Sequence, residues 1–457
     1  MRIVIFGTGQ VYREKKKDLS KDDEIIALLD NNPDKWETKI DDIIVYNPKT
    51  IRNLEYDKII LMSKYASYMK KQLLEYGCSK DKIMHLEDYF YLRKKNIIED
   101  YKIFSNEKEY QSTCAIICKS LGYHGGAISA YYCALALQRS GIETTIIAET
   151  GDTNIISEMN KDGISVILSS AVSRSQWKLI YWLNKYDYII VSTIPMILCA
   201  LEISKYRRVI MWLHDSDSVY EYMDYWHDKI VKEIDSKNLE IYAVSKVAKN
   251  NFYKWLTKCK IGILPCGVPK EIHKDSEHTK LIMAIIGSIH PIKGQDILID
   301  TLKQFPELKG DGVEYWIVGK EEDTEYSKKI QKEIQTLSNV IILGEIKKEK
   351  MNSLYTKIDI ALIPSREETM SLVAIEAMQH GKVCIVSDIT GIAEYIKDGE
   401  NGFVFESENR EIFASKIHWC IKNKRAIKSM GEKSLLIYEK YFSMESFEKN
   451  LIHILQG

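Results

Sequence analysis

Short runs of almost uninterrupted Ile, Val and Leu recur along this chain, and amphipathic segments separate them. Leu281-Ile282-Met283-Ala284-Ile285-Ile286 is one such run, and Ile360-Ala361-Leu362-Ile363 and Val383-Cys384-Ile385-Val386 are others. A strand with one face in water alternates apolar and polar residues; these do not alternate. Both faces must therefore be covered, which is the situation of a parallel strand between two layers of helix. At roughly 100–200 residues per domain, the 457 residues divide into about three such units.

The first unit is expected over 1–105. It opens with Ile3-Val4-Ile5-Phe6 and Gly7-Thr8-Gly9, continues through Ile25–Leu29 to Asp30, and has a third strand over Lys58–Met62. A helix over Tyr65–Tyr76, closed by Gly77, completes a βαβ alternation. The polar run Ser105–Glu109 reads as a linker. A second unit is expected over 113–272, with strands at Ala115–Cys118, Thr144–Ala148, Ser165–Leu168, Tyr188–Ser192, Val209–Leu213 and Ile241–Val244. A helix from the Gly122–Gly126 turn to Arg139 lies between the first two. The third unit, 278–436, carries the runs above together with Glu314–Val318 and Val340–Leu343, and a closing helical segment occupies 437–457.

Charge and cysteine usage remove several functions. Lys and Arg number 64 against 65 Asp and Glu, a net charge of −1, so nothing draws the whole chain to nucleic acid. The 9 cysteines include no Cys-x-x-Cys pair, which argues against a metal ribbon or a disulfide framework. Tyr188–Leu201, an uncharged apolar stretch, contains Pro195 and is shorter than the roughly 18–20 residues of a spanning helix. The opening residues read as a strand and turn rather than a signal peptide. A soluble, cytoplasmic chain is the expectation.

The most specific stretch runs from Pro364-Ser365-Arg366-Glu367-Glu368-Thr369-Met370 through Ser371-Leu372-Val373-Ala374-Ile375-Glu376 to Gly381. A strand ends at Pro364, and a helix is expected to begin around Ser371. Its first N–H groups would point unpaired into the crevice beyond the strand ends, a place suited to phosphate. Glu368 and Glu376, eight residues apart, flank that place with acceptor-only carboxylates, which suit sugar hydroxyls. A solvated acidic loop followed by a helix-start Glu is the plainer alternative.

The same spacing resembles the Glu-x7-Glu signature of retaining glycosyltransferases of family 4, whose GT-B fold sets two Rossmann-like domains face to face. Ile286–Asp296 resembles that family's Gly…Lys-Gly phosphate loop, and Leu264–Pro269 the end of its first Rossmann domain. Ala243–Lys246 resembles the Val-Ser element before that, Gly125-Gly126 the acceptor-domain glycine loop, and Tyr441–Met444 the entry to the last helix. The likeness spans about Thr113 to Gly457. The expected fold class is thus α/β, a GT-B pair preceded by a small Rossmann-like domain.

The resemblance implies roles. Lys293 supplies a cation to the donor diphosphate, Glu376 takes the ribose hydroxyls, and Glu368 takes a hydroxyl of the transferred sugar. Thr369, Met370, Ser371 and Leu372 line sugar and phosphates, and Gly125 and Gly126 let backbone approach the donor. His214, directly after its strand, binds the donor sugar. Without the resemblance, a His there is most often structural. The implied activity is retaining, metal-independent transfer from a nucleoside-diphosphate sugar, UDP-sugar first, to a glycan, lipid-linked or protein acceptor. No cofactor and no metal are expected. One departure stands out: Ser288 occupies the position where the family usually has Arg, and His290 is the candidate substitute.

Other features have competing readings. His124 beside the glycine loop reads as a solvated loop residue. Gly7-Thr8-Gly9 lacks the third Gly of a dinucleotide fingerprint, although Asp30 lies 21 residues after Gly9, where a ribose-binding acid belongs. The module resembles those fused to bacterial polysaccharide-assembly enzymes, and a docking role toward a protein partner is favoured over catalysis. A helix over Val247–Lys260 mixes lysines with Phe252, Tyr253 and Trp255, which suits either a membrane surface or a solvated face. Asp215-Ser216-Asp217 matches a metal-binding string but reads as loop residues or helix caps. The rivals are a non-catalytic glycosyltransferase-like subunit and an oxidoreductase centred on the first module.

Overall fold

A computed structural model describes residues 1–63, 65–93, 102–104, 112–257, 259–271, 278–321 and 324–457. The linker expected at Ser105–Glu109 lies outside these residues. Among the described residues the strands form three sheets, of six, eight and six strands.

The N-terminal sheet is ordered Lys39–Ile40, Ile43–Tyr46, Glu24–Leu29, Arg2–Phe6, Lys58–Leu61, Ile83–His85. All neighbours are parallel except the first pair. Arg2–Phe6 is central, and Val4 and Phe6 face one apolar cluster while Ile3 and Ile5 face another. That two-sided burial is why the run shows no alternation.

The second sheet follows the order Ile261–Ile263, Leu239–Ala243, Val209–Leu213, Tyr188–Ser192, Ser112–Leu121, Ile142–Gly151, Ser165–Leu168, Lys102–Phe104. Only the last strand is antiparallel. The third is ordered Val340–Gly344, Val313–Val318, Leu281–Ile286, Ile360–Ile363, Val383–Ser387, Gly402–Phe405, all parallel. In both sheets all central strands are parallel and the strand order reverses next to Ser112–Leu121 and next to Leu281–Ile286, so a crevice opens beyond the carboxyl ends at these points.

The two large units are tied at their hinge. The final helix Met444–Gln456 packs against Gly125–Arg139, with Arg139 on Glu445 at 2.6 Å and Ser140 on Glu448 at 2.6 Å. Arg208 reaches from the second sheet to the Ile454 carbonyl at 2.5 Å. Gly267 has no room for a side chain because Phe447 covers it. The fold is α/β of GT-B type, two facing Rossmann-like domains preceded by a small Rossmann-like one.

Candidate functional site

One wall of the candidate site is built from two loops that touch. Leu281–Ile286 ends in Gly287, whose φ of +145 turns the chain into the 3-10 turn Pro291–Lys293, and Gly294 at φ +71 starts the helix Gln295–Gln304. A Cβ on Gly294 would overlap the Pro364 carbonyl, so a bare glycine is needed for the loops to meet. The Arg366 N–H donates to the Ile292 carbonyl at 2.7 Å. Arg366 also holds Asp296 through both guanidinium nitrogens, at 2.8 and 2.9 Å. The Asp296 carboxylate in turn holds that guanidinium firmly protonated, above its ordinary range.

This contact brings Lys293 and Glu368 together, Nζ to Oε2 at 2.5 Å, although 75 residues separate them. Ser371 caps the helix Leu372–Gln379, accepting from the Ala374 N–H at 3.3 Å. The Lys293–Glu368 pair thus sets the Lys293 ammonium on the loop that leads into this helix. Glu376, half-buried in the same helix, accepts from the Tyr355 hydroxyl at 2.7 Å. Ser288 is exposed. His290 spends Nδ1 accepting from the Ile292 N–H at 3.2 Å, which assigns its proton to Nε2.

The opposite wall comes from the second sheet. Val209–Leu213 ends at His214, whose carbonyl accepts from the Thr369 hydroxyl at 2.7 Å. Ser245 donates to the Thr369 carbonyl at 2.5 Å while capping the helix Lys246–Trp255. A Cβ on Gly391 would overlap that same carbonyl, so the three segments meet with no space between them. Glu367 accepts from the Ser218 N–H at 3.0 Å. The loop Glu367–Thr369 is thus pinned to the second unit beside His214.

The His214 ring lies edge-on to Trp212, 4.2 Å between centroids. Burial pulls its pKa down to about 3, so the imidazole is neutral, and Nε2 is buried with no hydrogen-bond partner among the described residues. Gly125 opens the helix Gly125–Arg139 with free space where a side chain would go, and Gly126 packs against the Thr193 methyl. His124 caps this helix, its Nδ1 accepting from the Ala127 N–H at 3.4 Å.

Asp215 and Asp217 do not face each other's partners. Asp215 is buried and accepts from the Ile194 N–H at 2.6 Å, and burial pushes its pKa up to about 7. Asp217 is exposed and pairs with Lys254 at 2.7 Å. Among the described residues no cluster of three His, Cys, Asp or Glu side chains could hold a metal.

In the first module, Asp30 already has partners. Its carboxylate takes the Thr8 N–H at 3.1 Å, the Thr8 hydroxyl, and Lys35 at 2.9 Å. These contacts hold Asp30 below the usual carboxylate range despite its burial. The module docks on the segment that follows Asp217: His85 is enclosed by Tyr222, Tyr225 and Trp226, and Lys70 bonds the Tyr225 carbonyl at 3.0 Å. The basic-aromatic helix ends at Trp255, five residues short of Lys260, because Leu256 turns to extended backbone. Phe252 is fully buried, Trp255 bonds Asp224 at 2.6 Å, and Lys249 bonds the Ile261 carbonyl at 2.9 Å, so much of that face covers its own domain. Lys258 lies outside the described residues.

Three contributors escape a reading of the sequence: Thr369 as a bridge to His214, Tyr355 beneath Glu376, and the Asp296–Arg366 clamp. Ser245 carried a signal in its Val-Ser element. Tyr355, 21 residues before Glu376, has none.

Residues 269–435 match the family "Glycosyl transferases group 1", and residues 1–84 match "C2185-like, N-terminal". An uncharacterized glycosyltransferase of Methanocaldococcus jannaschii is 30% identical over 242 residues, 52% of this chain and 64% of that protein. The lipopolysaccharide 1,2-N-acetylglucosaminetransferase of Salmonella typhimurium is 26% identical over 47% of this chain and 61% of its own length. The chain thus spans under two-thirds of these relatives. Among solved structures, Anabaena HepE in complex with UDP-glucose matches with a TM-score of 0.65 at 18% identity, over 75% of this chain and 99% of that one. Sucrose-phosphate synthase of Thermosynechococcus elongatus matches at 0.64 and 16%, over 76% and 98%. Residues 269–435 are thus similar to the glycosyl transferases group 1 family, and the chain has a GT-B fold.

Proposed function

We propose that this chain is a retaining, metal-independent glycosyltransferase of family 4. It moves a sugar from a nucleoside-diphosphate donor, UDP-sugar first, to a hydroxyl of a glycan, lipid-linked or protein acceptor in bacterial cell-surface glycoconjugate synthesis. The observation that carries this reading is the set of contacts that joins Lys293 to Glu368 and Thr369 to the His214 carbonyl beside the Ser371 helix start, with His214 Nε2 unpartnered among the described residues. A diphosphate entering there takes the Lys293 ammonium, and the carboxylate that Lys293 leaves accepts from a sugar hydroxyl. Glu376 accepts from the ribose. Thr369 through Leu372 line the donor, and Gly125 and Gly126 admit it from the acceptor side. The cation and the helix N-terminus balance charge as the leaving phosphate departs. Front-face attack, with a leaving phosphate oxygen taking the acceptor proton, asks for no protein base. The UDP and UDP-glucose complexes of Anabaena HepE support the choice of donor.

The division into 1–105, 113–272, 278–436 and 437–457 belongs to the same reading. The first module is a docking unit, and the enzyme works at the cytoplasmic face of the membrane. Among the described residues no helix is long and apolar enough to cross it. The test is transfer or slow hydrolysis of nucleotide-sugars, with NMR of the product anomer with and without EDTA. A retained anomer and EDTA-resistant turnover are expected. Inversion, or loss in EDTA restored by manganese, overturns the mechanism. Nucleotide binding without turnover on any sugar donor instead gives the non-catalytic subunit that Ser288 favours.

A further inference from the structure

Resting on that reading of Glu376, we infer that Tyr355 is a positioning residue for donor recognition. It sets the Glu376 carboxylate and so controls how strongly the site distinguishes a ribose that carries hydroxyls from one that does not.

The geometry is specific. Tyr355 ends the helix Lys348–Tyr355, on the donor domain, and its side chain is 1% exposed. Its hydroxyl donates to Glu376 Oε2 at 2.7 Å. The ring lies tilted against His380, 4.7 Å between centroids, and the His380 Nδ1 is 2.7 Å from the Glu376 carbonyl. Ring and carboxylate are therefore fixed to the same helix turn from below. The bond ties one oxygen of the half-buried carboxylate to a phenol that is itself packed in place. Burial, and then the negative charge of Glu376, hold the Tyr355 phenol protonated far above its ordinary range, so it remains a donor throughout neutral pH. Tyr355 itself lies beneath Glu376 and takes no part in contact with the ligand. Removing only its hydroxyl leaves the apolar packing of the ring in place.

The experiment is calorimetric titration of the full chain with UDP, GDP and ADP and with their 2′,3′-dideoxy counterparts, for wild type, Tyr355→Phe and Glu376→Gln. The readout is the ratio of ribo to dideoxy affinity for whichever base binds. In Tyr355→Phe that ratio is expected to fall about tenfold, the scale of one hydrogen bond to a charged group, with dideoxy affinity unchanged. A general structural defect would lower both affinities and leave the ratio alone, and that result overturns the inference. A ratio that collapses in Glu376→Gln but stays at the wild-type value in Tyr355→Phe sinks the role of Tyr355 alone. A ratio unaffected by Glu376→Gln, or no binding by any of the three bases, removes the ribose role of Glu376 and this inference with it.

Discussion

His214 and Asp215 are neighbours in sequence whose buried side chains titrate in opposite senses, and this gives a prediction with a sign. Burial lowers His214 from its ordinary 6.5 to about 3 and raises Asp215 from 3.8 to about 7. Between about pH 4 and 6.5 the unfolded chain holds a proton on His214 that the native state lacks, so this group makes stability rise with pH. Over the same window the native state holds a proton on Asp215 that the unfolded chain lacks, so this group makes stability fall with pH. At about 1.4 kcal/mol for each factor of ten, each effect amounts to about 3 kcal/mol across the window, and the two nearly cancel. Single variants separate them. Asp215→Asn keeps an acceptor for the Ile194 N–H, and on going from pH 6.5 to 4 it should lose about 3 kcal/mol relative to wild type. His214→Gln should gain a similar amount relative to wild type over the same change. Urea unfolding at several pH values reads both differences. If both variants run parallel to wild type across the window, neither group is buried as described and the reasoning fails.

Three further outcomes follow from the site. Lys293→Met should weaken nucleoside-diphosphate binding about tenfold or more while leaving the free nucleoside unaffected, as calorimetry with UDP and uridine would read, because only the diphosphate needs the cation. Gly391→Ala forces a methyl into the Thr369 carbonyl and crowds Ser245 Oγ, at 2.7 Å, so it should break the Ser245–Thr369 and Thr369–His214 bonds. Nucleotide affinity should then drop while circular dichroism stays native; a native affinity would show that the loop yields without consequence. A chain beginning at Lys102 should keep nucleotide affinity but bind an apolar dye and melt earlier, since Tyr222, Tyr225 and Trp226 lose their cover over His85. Loss of nucleotide binding in that folded chain would place the module in the active site.

What could be read from the sequence was whatever is decided locally. Leu281–Ile286 and Ile360–Ile363 announce parallel strands because both faces are buried, and Ser371 announces a helix start because its hydroxyl serves the helix's own N–H groups. Short strands were harder. Ile43–Tyr46, Ile261–Ile263 and Gly402–Phe405 have three or four residues each, too few to show a pattern. Helical periodicity carried past Trp255 in the sequence, but Leu256 adopts extended backbone at φ −153, so the helix stops earlier than its lysine spacing implies. The site was half legible. Lys293, Glu368 and Glu376 sit in motifs, yet their pairing with one another and with Tyr355 is tertiary. Asp30 shows the converse: its spacing after Gly9 suits a ribose, but Lys35, a residue outside that spacing, occupies its carboxylate together with Thr8.

The central claim is that a nucleoside diphosphate binds between Lys293 and the Ser371 helix start, and hydrogen exchange tests it most directly. With saturating UDP, amides in 287–294 and 368–376 should exchange more slowly, and those around Thr8 and Asp30 should not change. In Lys293→Met the same protection should need about tenfold more UDP or above. Protection confined to the first module, or bound UDP with no slowing in either donor segment, would contradict the account.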